Sequence, residues 1–272
     1  MNGPIAQIVA LTCHANALLA GNDTPAFFPA NSTTQFCERV TFVEVQKSFF
    51  GKTSENEIAA SPEAWFAYLK KKQAKGVRLL RQPDNKSGIS DRMAAGFVGG
   101  GGTWSMEVLL PKDRSEFWIA RWDVGNREAP DKRIWRVTYG LVALGKTTVA
   151  TTAPLGERLV VFKNALKETE SFARAHDAKG FADAFAKAIE TLESGKPQHG
   201  YHKDLLVRAS DRPLAACVLD AAQSAWVFGG MGSWNDLGFS GDDGKEYDRV
   251  SEQLFTSLNE IICLAVNETQ PK

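Results

Sequence analysis

No stretch of this sequence approaches the eighteen or so uninterrupted apolar residues, at about 1.5 Å of rise each, that a bilayer-crossing helix needs. The richest run, residues 214–227, is broken by Asp220 and Gln223. The opening segment is apolar, but no Lys or Arg precedes the apolar run and Gln7, His14 and Asn16 interrupt it, which is the pattern of a helix rather than of a secretory leader. Net charge is missing too: 32 Lys and Arg balance 32 Asp and Glu. Without a global field, neither a nucleic acid nor an anionic membrane is the expected partner. The four cysteines, Cys13, Cys37, Cys217 and Cys263, form no Cys-x-x-Cys pair and sit among apolar neighbours, as free thiols of a reducing compartment do, with two long-range bridges left open. The expectation is a cytoplasmic protein with no cofactor and no metal.

What is present is the composition of a globular fold, 43% hydrophobic and 24% charged. Pro4 opens a first helix with a stripe at Ile8, Leu11, Ala15 and Leu18, and Gly21-Asn22-Asp23 closes it. Residues 40–45 read as a strand. Ser61-Pro62-Glu63 is an N-cap for a helix carrying Trp65, Phe66 and Leu69, with Gly76 as its stop. The period then falls to two: residues 104–110, 117–124 and 134–144 predict an antiparallel meander, with Trp118, Ala120 and Trp122 on one face and Trp135, Val137, Tyr139 and Leu141 on another. From Pro154 the period is helical again. The stripes are Leu155, Leu159, Phe162 and Leu166; Phe181, Phe185, Ile189 and Leu192; Leu214, Val218, Ala221, Ala225 and Phe228; and Val250, Leu254, Leu258, Ile261 and Ala265. The class is α+β, with an antiparallel meander and helices in residues 1–152 and a helical part in residues 153–272, expected to form one composite unit.

Several motifs bear on chemistry. Gly140, Gly145, Lys146 and Thr147 satisfy the spacing of a phosphate loop, but residues 141–144 continue a strand and no helix follows, so a hairpin turn at Gly145-Lys146 is expected instead. Gly99, Gly100, Gly101 and Gly102 read as a flexible turn feeding a strand. His14 lies on the first helix stripe as a core histidine, badly placed to work with Cys13. His199 and His202, with Asp204 nearby, are the only weak candidate for a metal or catalytic cluster. Arg121, Asp123, Arg127 and Arg136 are expected in solvent-facing ion pairs across the meander.

The most distinctive run is Gly229-Gly230-Met231-Gly232-Ser233-Trp234-Asn235-Asp236, a glycine-rich loop that combines an aromatic with hydrogen-bonding groups. Asp242, Asp243 and Glu246 follow it. From Ser210 onward ten acidic residues face four basic ones, a net charge of 4 − 10 = −6. This run and the helix after it, residues 247–266, resemble C-terminal segments of bacterial immunity proteins, which neutralise the effectors of interbacterial toxin systems. The resemblance implies a non-enzymatic inhibitor that occludes a basic toxin domain, such as a nuclease. Trp234, Asn235, Asp236, Asp242, Asp243 and Glu246 would form its partner-binding surface. The competing expectation is an enzyme of hydrolase or nucleotide-binding type, with its site between the meander and the helices and Lys146 and Thr147, or His199 and His202, as its residues.

Overall fold

The first helix, α1 (Gly3–Leu19), is started by Asn2, whose side chain accepts from the Ile5 amide, and by a proline in the first turn. Every residue from Ile5 through Asn16 is buried, so the helix is enclosed on all sides rather than lying on a surface. The structure, a computed structural model, describes residues 1–47, 53–84, 88–97, 99–148, 153–198 and 200–271.

Six strands follow: β1 (Cys37–Lys47), β2 (Thr53–Ala59), β3 (Gly76–Gln82), β4 (Thr103–Leu110), β5 (Arg114–Val124) and β6 (Trp135–Lys146). Their order in one sheet is β2-β1-β6-β5-β4-β3. After β1 and β2 pair, helix α2 (Pro62–Lys71) carries the chain to the far edge, and β3, β4, β5 and β6 return as the antiparallel meander. The last of them lies parallel to β1, so the sheet is mixed. Gly140 permits that closure: a Cβ there would meet the Val45 side chain at 2.8 Å. The core face joins Phe42, stacked on Trp65 at 4.7 Å and on Tyr139 at 5.2 Å, to Trp118. A short helix, α3 (Asp91–Ala94), precedes β4, and α4 (Leu155–Ala175), α5 (Lys179–Ser194), α6 (Pro213–Ala225) and α7 (Gly241–Asn267) complete the second half. One hydrophobic cluster runs from Ile5 of α1 through the sheet to Val266 of α7, without a break between the two halves.

Sequence patterning gives the α+β class, the meander and the helices of the second half, and it misses β2, β3 and the parallel pair. β2 is polar and exposed, an edge with no alternation to read. Gly76 opens β3 instead of stopping α2, which ends at Lys71 with Gln73 in the left-handed region. Leu214 is exposed at the start of α6 rather than part of its buried stripe. α6 ends at Ala225, and α7 begins at Gly241, so Asp242 and Asp243 lie in its first turn.

The edge strand β3 is closed by side chains. Asn16 accepts from the Val77 amide at 2.7 Å and donates to the Val77 carbonyl at 2.9 Å. Asn267 does the same for Leu79, at 2.7 and 3.0 Å. Each carboxamide takes the place of a peptide group on a neighbouring strand, so α1 and α7 complete the sheet's hydrogen bonding. Replacing Asn16 with Ala orphans both Val77 groups in a dry site, and stability is expected to fall by about 2–4 kcal/mol. Urea denaturation measures this, and an unchanged midpoint would remove the edge-closing role.

Candidate functional site

The six residues of the expected partner surface divide between interior and exterior. Trp234 is fully buried: its ring lies 5.3 to 6.3 Å from Phe172, Phe181, Phe185 and Tyr247, and its indole N–H donates to Ser251 Oγ at 2.7 Å. It holds the 229–236 segment against α4, α5 and α7 and is not displayed to a partner. Asn235 is also committed, accepting from Arg92 Nη1 at 3.1 Å and donating to the Arg92 carbonyl at 2.8 Å. Asp236, Asp242, Asp243 and Glu246 are exposed. Asp236 completes a capping box with Ser233, Asp242 pairs with Lys245, and Glu246 pairs with Arg249.

A residue that sequence reasoning passed over organises this region. Arg92, only 3% exposed, donates to Glu252 at 3.0 Å and to Asp248 at 2.9 Å as well as to Asn235, and its guanidinium lies 5.5 Å from the Tyr247 ring centre. A buried guanidinium needs all these partners, and meeting them draws α3, the 233–236 turn and α7 together. Gly96 packs backbone against backbone on Gly229, where a Cβ would collide with the carbonyl. Gly100, Gly101 and Gly102 beyond it are likewise packed: Gly102, at φ +88°, presses against Arg81, which donates to the Gly101 carbonyl and pairs with Asp91. Met93, Phe97 and Met231, on the segments this framework joins, stand exposed, Met231 completely so.

Behind that face, between the meander and the helices, lies a cavity of about 770 Å³. Its floor continues the core face of the sheet past the end of α1, with Trp104, Ala120, Trp122 and Trp135. Trp122 and Trp135 meet edge to face at 5.9 Å, and the Trp122 indole N–H is buried without an acceptor. The walls come from the start of α1, residues 32–37, the glycine run, Trp226 with Gly229 and Gly230, and Phe255 of α7. Phe36, Phe97 and Tyr201 are lining residues that remain exposed.

Ser32 and His202 also line the cavity, with Asp204 beside them, but not in the order of a nucleophile activated by a base. Ser32 Oγ donates to Asp204, which also accepts from the Ser32 amide at 2.8 Å. That hydroxyl has a single proton, so His202 Nδ1, 3.0 Å away, carries the hydrogen and donates to Ser32. His14 Nε2 donates to the Asp204 carbonyl at 2.9 Å, leaving Nδ1 without a partner. Burial lowers the pKa of both histidines, partly offset by Asp204. Burial likewise pushes the Cys13 thiol up to about 12, against any dyad with His14. His199 lies outside the described residues, and among the described residues no group of three or more His, Cys, Asp or Glu is placed to hold a metal. Gly145 and Lys146 continue β6, opposite Ser115 and Arg114, so the expected hairpin turn there is absent and the phosphate-loop spacing falls on a strand. Arg121 pairs with Glu55 and Asp123, and Arg136 with Glu38, on the outer face as expected.

No family model, curated protein or solved structure matches this chain.

Two measurements test this geometry. Trp234→Ala is expected to cost about 3–5 kcal/mol of stability, the penalty for emptying an aromatic site in a core; a surface anchor would leave the denaturation midpoint unmoved. Stability is also expected to depend on His202. The unfolded chain takes up a proton near the usual 6.5, while the folded state resists it to lower pH. The contribution is therefore complete above 6.5 and is lost as pH falls through the depressed folded value. His14 has the same sign. Denaturation curves from neutral to mildly acid pH should show a shallower slope in His202→Gln than in the wild type.

Proposed function

We propose that the protein is a non-enzymatic, protein-binding inhibitor of the immunity-protein kind, which neutralises a basic toxin domain by covering its active site. The observation that carries this reading is the exposure of Met93, Phe97 and Met231 on a framework fixed by the buried Arg92 and bordered by carboxylates. Large apolar side chains fixed at a surface are costly unless a partner covers them, and Met and aromatic residues are enriched where partners dock. The acids give the complementary half of the argument. Asp236, Asp242, Asp243, Glu246 and Asp248 are all exposed, and a field of this sign accelerates encounter with a cleft built to hold phosphates. The resemblance of the 229–236 run and α7 to immunity proteins points the same way. In this reading Trp234 and Asn235 act from within, keeping the turn in the shape that presents Met231 and Asp236.

The test starts from the partner captured by the tagged protein and compares dissociation constants across salt concentrations. Reversing Asp236, Asp242, Asp243 and Glu246 to Lys together is expected to weaken binding at least ~10-fold at low salt and to flatten its salt dependence. Met93→Asp with Met231→Asp should weaken it at least ~10-fold at any salt. An affinity that neither set changes would overturn the proposal.

A further inference from the structure

Of the residues that line the cavity under the glycine run, the partner-binding reading uses only Phe97, at its rim, and gives the interior no role. We propose that it is a binding site for a flat, largely apolar small molecule carrying one hydrogen-bond donor, such as an aromatic hydroxyl or ring N–H.

The size fits. At about 770 Å³ the cavity falls within the roughly 300–1,000 Å³ usual for small-molecule sites, and segments from both halves of the chain wall it, with Phe36, Phe97 and Tyr201 exposed at its rim. Its surfaces select for shape. Trp104, Trp122, Trp135 and Trp226 all line it, and indole faces and edges favour planar rings over branched aliphatic chains.

The charged groups at the cavity are spent elsewhere. Arg121 lines it, but its guanidinium is held on the outer face by Glu55 and Asp123. The Met1 amine donates to the Gln223 carbonyl, and burial holds it uncharged at neutral pH, its pKa pushed down to about 4. An ionic ligand would therefore leave water without gaining a counter-charge, whereas a neutral one loses little.

The polar handle is His202. Because the Ser32 hydroxyl donates its one hydrogen bond to Asp204, the imidazole carries its hydrogen on Nδ1, and Nε2 is an acceptor with no hydrogen-bond partner among the described residues. The backbone of His202 is clamped in two directions by Gln223, which accepts from its amide at 2.9 Å and donates to its carbonyl at 3.2 Å, so the ring is fixed before any ligand arrives. An acceptor held in this way in an apolar site calls for a donor on the ligand.

The experiment uses 2-naphthol as the probe and 2-methoxynaphthalene, which has the same ring system without the donor, as its comparator. Calorimetry measures binding, and tryptophan fluorescence reports whether the ligand reaches the indole-lined wall. Saturable binding of one 2-naphthol per chain is expected, with a change in tryptophan emission and an affinity at least ~10-fold above that of the methoxy compound, the worth of one hydrogen bond. Ala120→Leu, which fills the floor, should abolish binding while far-ultraviolet circular dichroism stays that of the wild type. If that variant does not fold, Tyr201→Ala at the exposed rim takes its place, with several-fold weaker binding expected. Non-saturating uptake, or equal affinity in the filled or rim variant, would overturn the site, and equal affinity for the two naphthalenes would overturn the role given to His202. Capture of the partner protein in parallel separates the two readings, since losing one kind of binding does not entail losing the other.

Discussion

Enclosing α1 on every side sets the terms for everything around it. A helix buried over twelve consecutive residues has no solvent-facing stripe on which to place polar groups, so each polar side chain it carries must find a partner in the protein. Gln7 accepts from the Tyr139 hydroxyl and donates to the Thr33 carbonyl, His14 reaches the Asp204 carbonyl, and Asn16 completes the edge of β3. These three contacts join the helix to the centre of the sheet, to the 200–206 segment and to the far strand. The first half of the chain is thereby assembled around one rod, and the second half packs onto what remains.

The same logic recurs at α6. Asp220, 4% exposed, accepts from the Gln198 and Gly200 amides, and Gln223 clamps His202. One turn of helix thus sets the position of a wall of the cavity. On the opposite side Arg92 and the contact between Gly96 and Gly229 do the equivalent for the surface that presents Met93, Phe97 and Met231. The irregular segments of this protein are therefore held by buried hydrogen bonds to regular ones, which is how loops acquire the rigidity that recognition needs.

The sequence carries most of this architecture, but in unequal registers. Helix stripes and strand alternation reveal α1, α2, the meander and the four long helices of the second half, because burial imposes a period that can be counted. The polar edge strand β2, the parallel union of β1 with β6 and the role of Arg92 leave no such period; they depend on partners far away in the sequence or on a surface that needs no pattern. The interruptions are the instructive case. In the sequence Gln7, His14 and Asn16 serve mainly to argue against a secretory leader, and Asp220 and Gln223 against a membrane span, yet in the structure they are the residues that tie those runs to the rest of the chain. The place of Trp234 is hard to read for a related reason. Glycine, tryptophan and asparagine together describe an exposed recognition loop and an internal plug equally well, and only the surrounding ring of Phe172, Phe181, Phe185 and Tyr247 distinguishes them.

The two ends of the sheet have unequal futures. At β3 the outward-facing peptide groups of Val77 and Leu79 are already occupied, so no incoming strand can be templated there without first displacing Asn16 and Asn267. At β2 the outer edge carries Thr53, Ser54, Glu55, Asn56 and Glu57, a run too hydrophilic to reward a second copy for stacking against it. A chain with a mixed sheet and exposed methionine and aromatic side chains is thus guarded against fibrous self-association by opposite means at its two margins: by occupancy at one and by hydration at the other.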